Sequence, residues 1–110
     1  ELAKMEKQLS TFTNADGIPY KLYKLPFPDA IYDEDGERLP ATYANYLIVN
    51  GAVIVPTYNQ PSNDLKAISI IKKAFPDHAI VGVDCRALIK QHGSLHCITM
   101  QFPKNIFKIL

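Results

Sequence analysis

The pair Asn50-Gly51 constrains this chain more than any other feature, because it separates two apolar runs, Tyr43 to Val49 and Ala52 to Thr57. Asn-Gly favours the type I′ turn, whose backbone twist matches that of paired strands. The spacing therefore predicts a β-hairpin. Both runs are nearly continuous in apolar residues, so both of their faces should be covered, as in a layered α/β unit.

The residues after the hairpin fit that class. Pro61-Ser62-Asn63-Asp64 supplies an N-terminal cap with an acidic residue in the first turn, which suits the positive end of the helix dipole. A helix should run from about Ser62 or Asn63 to Phe75, burying Leu65, Ile68, Ile71 and Phe75, with Lys72 and Lys73 near its C-terminus and Pro76 ending it. Ala79 to Asp84 then reads as a short strand of the buried type. A hairpin, a helix and a further strand in this order make an α/β unit with a mixed sheet and packed helices. One helical turn is expected over Arg86 to Lys90.

Ahead of the hairpin the signals are weaker. Leu2, Met5 and Leu9 recur at helical spacing, predicting the end of an amphipathic helix with one stripe against a sheet. Asn14-Ala15-Asp16-Gly17 is a turn, and Ile18 to Leu25 reads as a β-like stretch stopped by Pro26 and Pro28. Asp33-Glu34-Asp35-Gly36-Glu37 is acidic but lacks the twelve-residue calcium-loop pattern, so it reads as a solvated turn and no metal is expected.

Composition narrows the partners. Of 110 residues, 47% are hydrophobic and 21% charged, which is enough apolar material for one ordinary core. Twelve basic and eleven acidic residues alternate to a formal charge of +1, leaving no electrostatic footprint for nucleic acid or an anionic membrane. No apolar run reaches the ~20 residues that span a bilayer. A small molecule or a protein is the expected partner. Two cysteines, Cys85 and Cys97, do not make a disulfide framework, and a reducing, cytoplasmic setting is expected. The start, Glu1-Leu2-Ala3-Lys4-Met5, has no initiator Met and no signal-peptide pattern, and reads as a cut through a larger protein.

Cys97 is the candidate nucleophile. It comes after a Gly-containing turn, Gln91-His92-Gly93-Ser94, in a strand-like segment where a thiol can be held at the mouth of a cleft. A free Cys is also a small hydrophobe that often belongs to a core. Side chains alternate across a strand, so His96 should face away from Cys97 and makes a poor base. His92 could approach by curling of the loop, or be merely solvated; His78 lies in a polar link. Cys85, at a strand end beside Asp84, is expected to be structural. Asn45 is anomalous, an amide within the first strand that must be hydrogen-bonded if buried.

Gly93-Ser94-Leu95-His96-Cys97-Ile98-Thr99 resembles the G-x-x-H-C-I-T signature of the agmatine deiminase and bacterial peptidylarginine deiminase family, part of the guanidine-modifying pentein superfamily. Two further stretches are similar to that family: Leu39-Pro40-Ala41-Thr42-Tyr43-Ala44-Asn45-Tyr46 with Asn50-Gly51-Ala52-Val53-Ile54-Val55-Pro56, and Val81-Gly82-Val83-Asp84-Cys85-Arg86. The family runs several glycines into the last turn, where this chain has Gln91 and His92.

The resemblance implies that residues 1–110 are one α/β unit, the last blade and flanks of a five-bladed α/β propeller, from the C-terminal end of a larger deiminase. It implies that Cys97 attacks a guanidinium carbon, with Asn45 beside it as a substrate-binding residue, and that no cofactor takes part. The general-base His and the clamping carboxylates come from earlier blades in that family, and no D-G-H-x-D segment occurs here. The isolated chain is therefore expected to be inactive, with the rest of the propeller or another copy as its protein partner. Agmatine, hydrolysed on the route to putrescine, is the expected substrate. A bacterial peptidylarginine deiminase and a non-catalytic propeller module, such as the ribosome anti-association factors of this fold, are the alternatives.

Overall fold

The computed structural model describes residues 1–106. Helix α1 spans Leu2–Leu9; strands β1 and β2 span Leu47–Val49 and Ala52–Thr57; helix α2 spans Pro61–Ala74, and β3 spans Ala79–Asp84. Two short 3₁₀ turns come after β3, Leu88–Gln91 and His96–Ile98. The sheet has the order β1-β2-β3. β1 pairs antiparallel with β2, Val49 opposite Ala52, and β2 pairs parallel with β3, from Ala52 opposite Ala79 to Thr57 opposite Asp84. A parallel pair needs a crossover, and α2 supplies it.

The hairpin thus forms at Asn50-Gly51, but the turn differs from expectation. Gly51 has φ +75° while Asn50 has no positive φ, so only one of the two central residues is left-handed and the turn is not type I′. β1 is also shorter than the apolar run suggested. A turn from Thr42 to Asn45 precedes it, with the Asn45 N–H donating to Thr42 O at 3.3 Å, so Asn45 is not in a strand.

Alternation along β2 divides the core. Val53 and Val55 are fully buried against Ile71 of α2, with Ile68, Phe75 and Ile80 around them. Ile54 lies on the other face, packed beside a second cluster that holds Leu39, Tyr43, Leu47, Tyr58, Cys85, Ile89 and Leu95. Truncating a wholly buried branched side chain such as Ile71 to Ala typically costs about 2–5 kcal/mol. Close packing also explains Gly82: a Cβ there would lie 3.1 Å from Thr57 Cγ2 and 3.2 Å from Ile68 Cδ1, so the glycine lets α2 sit down on β3.

Two burial expectations and one helix boundary are corrected. Leu65 is 69% exposed, because the buried face of α2 runs through Ala67 and Ile71 instead. β3 is an edge strand, and its face carrying Val81 and Val83 is open, so its apolar run does not mark a covered strand. The start of α2 also differs: the helix begins at Pro61, with Ser62 and Asn63 inside it. Asp64 does the capping from within, its Oδ2 accepting from the Gln60 N–H at 2.9 Å and its Oδ1 from Tyr58 N–H at 3.1 Å and Tyr43 OH at 2.7 Å.

The N-terminal third is looser. α1 has no buried residue, and Leu2, Met5 and Leu9 line an open hollow with Leu22, Leu25 and Phe27 rather than a sheet face. Ile18 to Leu25 is not a strand. Its pairing is limited to single bridges, Thr13 with Pro19 and, further on, Tyr32 with Arg38, each closed by an Asx turn. Pro19, Pro26 and Pro28 withhold donors from a ladder, and no strand among the described residues lies alongside to complete one. The acidic segment is a solvated turn: Asp33 Oδ1 accepts the backbone N–H groups of Asp35 and Glu37.

Candidate active site

Two segments far apart in sequence meet at Cys97. After the 3₁₀ turn Leu88–Gln91 the chain reverses through His92, whose φ of +62° is left-handed, and Gly93. Ser94 and Leu95 then dip into the core at 1% and 8% exposure, and His96 and Cys97 emerge on the surface. Cys97 therefore sits in the 3₁₀ turn His96–Ile98 and not in a strand. Strand alternation does not govern its neighbours, since successive residues of a 3₁₀ turn point about 120° apart. The His96 side chain lines a shallow hollow with Ala44, Asn45, Tyr46, Ile48 and Gln101.

The second segment is the turn before β1. Its half-buried Asn45 spans the loop: Nδ2 donates to Cys97 Sγ at 3.3 Å, and Oδ1 accepts the His96 backbone N–H at 2.6 Å. One amide thus fixes both the thiol and the backbone next to it. Gly93 closes the other side, where a Cβ would lie 3.0 Å from Cys97 Cβ and 3.6 Å from Sγ. A side chain at position 93 would push the thiol away from Asn45.

Hydrogen bonds set the electrostatics of this thiol. A bond from the Ser94 backbone, and after it the Asn45 side chain, hold its pKa below the ordinary thiol range. Hydrogen bonds to the charged form favour ionisation, so the thiolate, the nucleophilic form, is more populated near neutrality. Cys97 is exposed as well, and can be reached by a ligand.

Cys85 is the opposite case. It is fully buried, its Sγ donates to Val83 O at 3.3 Å, and burial followed by the Asp84 charge raises its pKa. The Asp84 carboxylate is itself paired with Arg86, Nη2 to Oδ2 at 2.6 Å. His78 lies just past α2, its carbonyl accepting from Lys72 Nζ at 2.8 Å and its ring 5.6 Å from that of Phe75. No group of three or more His, Cys, Asp or Glu side chains that could hold a metal occurs among the described residues.

Reading the sequence alone missed Tyr58, Ser94 and Thr42. Tyr58 OH donates to Thr42 O at 3.0 Å, accepts from Thr42 N–H at 3.1 Å and lies 2.8 Å from Ser94 Oγ. A tyrosine just past a strand and a serine in a turn carry no local signal of such a link, because the partners lie 16 and 36 positions away.

Residues 1–103 match the family model described as Porphyromonas-type peptidyl-arginine deiminase. Among solved structures, the chain is 53% identical to a candidate arginine deiminase of Porphyromonas gingivalis, with a TM-score of 0.84, covering 94% of this chain and 30% of that one. It is 42% identical to C. jejuni agmatine deiminase in a cysteine-to-serine variant with substrate bound, with a TM-score of 0.72 over 86% of this chain and 26% of that one. Agmatine deiminase of Pseudomonas fluorescens is 33% identical over 86% of this chain and 30% of the relative. The chain thus spans about a third or less of the length of the curated relatives it matches.

Proposed function

Because the chain belongs to the Porphyromonas-type peptidyl-arginine deiminase family, we propose that it is the cysteine-bearing C-terminal part of an agmatine deiminase, with Cys97 as the nucleophile. In this reading it forms the last blade and flanks of a five-bladed α/β propeller and works in the cytoplasm. The observation that carries the reading is the Asn45 amide seated on an exposed thiol, 3.3 Å from Sγ, which it helps to hold low in pKa.

The Cys97 thiolate adds to the guanidinium carbon of agmatine, forming a C–S bond and a tetrahedral species. A terminal amino group takes up a proton, its C–N bond breaks, and ammonia leaves. Water then adds to the resulting amidino-thioether carbon, the C–S bond breaks, and the thiol is restored with N-carbamoylputrescine as product. Asn45 keeps one Nδ2 hydrogen and one Oδ1 lone pair beyond its bonds to Cys97 and His96, and these can meet the substrate. The general base and the carboxylates that clamp the guanidinium belong to the remainder of the propeller, so residues 1–110 alone should not turn over.

A second reading, deimination of peptidyl-arginine, is favoured by the family model that residues 1–103 match, the Porphyromonas-type peptidyl-arginine deiminase. Both readings share the thiol chemistry. The test is peptide mapping by mass spectrometry after the protein, at its full natural length, is incubated with a haloacetamidine or with agmatine. An amidine-derived adduct on Cys97 is expected. A folded protein in which Cys97 stays unmodified would sink both readings and leave a non-catalytic propeller module.

A further inference from the structure

Two chain segments hold Cys97, and a single buried hydroxyl connects them. The first is the loop His92 to Cys97, anchored by Ser94, which is 1% exposed. The second is the turn Thr42 to Asn45, whose Thr42 carbonyl accepts the Asn45 N–H at 3.3 Å and whose Thr42 Oγ1 accepts the Ala44 N–H at 3.2 Å. Tyr58, also 1% exposed and next after β2, reaches both. Its hydroxyl bonds Thr42 N–H and Thr42 O, at 3.1 and 3.0 Å, and lies 2.8 Å from Ser94 Oγ. Its ring packs at 5.6 Å from that of Tyr43.

We propose that the Tyr58 hydroxyl is the positioning group of the site: it sets the distance between the loop carrying Cys97 and the turn carrying Asn45. The inference rests on Cys97 being the nucleophile. Tyr58 touches no reacting atom. It acts through Ser94, which lies three residues before Cys97 in the same loop and whose backbone helps to lower the thiol, and through Thr42, whose carbonyl orients the turn that presents Asn45. Both arms end on the same buried hydroxyl, so neither can slide without stranding a polar group. Network members with two anchors on one rigid strand end define one geometry, whereas a loop with a left-handed His92 and a glycine at 93 would otherwise sample several.

The surroundings allow the thiol to be read cleanly. On the loop itself the titratable groups are His92 and His96. Behind Ser94 lie Tyr58 and Cys85; from the turn, Tyr43 is engaged by Asp64 and Tyr46 packs edge-on to Phe75 at 5.9 Å. No charged side chain is among the causes that lower the Cys97 thiol.

The test measures alkylation of Cys97 by iodoacetamide against pH, resolved from Cys85 by peptide mapping, in the protein at its full natural length. Tyr58→Phe should raise the midpoint by about 0.5–1 pH unit and slow alkylation at pH 7 roughly three- to tenfold. Ser94→Ala keeps the backbone N–H and removes the hydroxyl that meets Tyr58 and the Cys85 thiol, and should shift the midpoint in the same direction; it decides the matter alone if Tyr58→Phe does not fold. The double variant should shift no further than the larger single one, since both remove the same link. Val53→Ala, which truncates a fully buried side chain in the separate Val53, Val55 and Ile71 cluster, should lower the melting temperature and leave the midpoint in place. An unmoved midpoint in the folded anchor variants, or an equal shift in Val53→Ala, overturns the proposal. Iodoacetamide reports the thiol whatever the substrate, so that result is distinct from a missing amidine adduct.

Discussion

The end of β3 and the loop beyond it each carry a cysteine, twelve positions apart, and the fold gives the two thiols opposite chemistry. Cys85 is fully buried in the cluster that holds Leu39, Tyr43, Leu47, Tyr58 and Ile89, and burial pushes its pKa up. Cys97 is exposed, and hydrogen bonds from the Ser94 backbone and the Asn45 side chain pull its pKa down. Residue type is shared. What differs is whether desolvation or donated hydrogen bonds dominate, and that is decided by which way the chain leaves the sheet.

The widest separation between these thiols should show in their reactivity. At pH 7.5, iodoacetamide should label Cys97 at least about 100-fold faster than Cys85, because Cys85 must await a local opening of the core. Mapped labelling kinetics give the ratio directly, and comparable rates would break the contrast. A smaller effect is expected from Asn45→Ala, which deletes one donor to Sγ and the acceptor for His96 N–H. Alkylation of Cys97 at pH 7 should slow by about tenfold, with Cys85 unaffected. If both cysteines slow together, Asn45 serves the fold and not the thiol.

The smallest effect concerns stability against pH. A raised folded-state pKa means that the Cys85 contribution is fully present below the unfolded thiol value of about 8.5 and is lost as pH rises through the folded value. Tyr58 is raised by burial in the same sense, and its share is lost above about pH 10. Denaturant midpoints should therefore fall on raising pH from 8 to 10.5. Cys85→Ala should flatten the lower part of that decline, while Cys97→Ser should alter it little, and in the opposite sense, since its thiol is exposed and lowered. A decline that Cys85→Ala leaves intact would assign it to the tyrosines alone.

Much of the fold was legible in the residues. Asn50-Gly51 marked the hairpin, the Ala79 to Asp84 run marked β3, and Pro61 and Pro76 bracketed α2. These signals are local: turn residues, proline punctuation and short-range periodicity act within a few positions. Burial was read less well. Leu65, Val81 and Val83 fit the pattern of covered residues and are exposed, because which face is covered depends on neighbours that pattern does not specify. The Ile18 to Leu25 stretch had strand-like residues and no strand, since a ladder needs a partner and three prolines stand in the way.

The site divides along the same line. The sequence by itself determined the Gly93 to Thr99 motif, the candidate thiol and the amide out of place at Asn45. Only the tertiary structure decided that Asn45 and Cys97, 52 positions apart, stand 3.3 Å from each other, that Cys97 rides a 3₁₀ turn and not a strand, and that Tyr58 ties Thr42 to Ser94. The physical reason is range. Local backbone preference acts over a turn or two, whereas a thiol's ionisation and aim depend on donors that only the closing of the core brings within hydrogen-bonding distance.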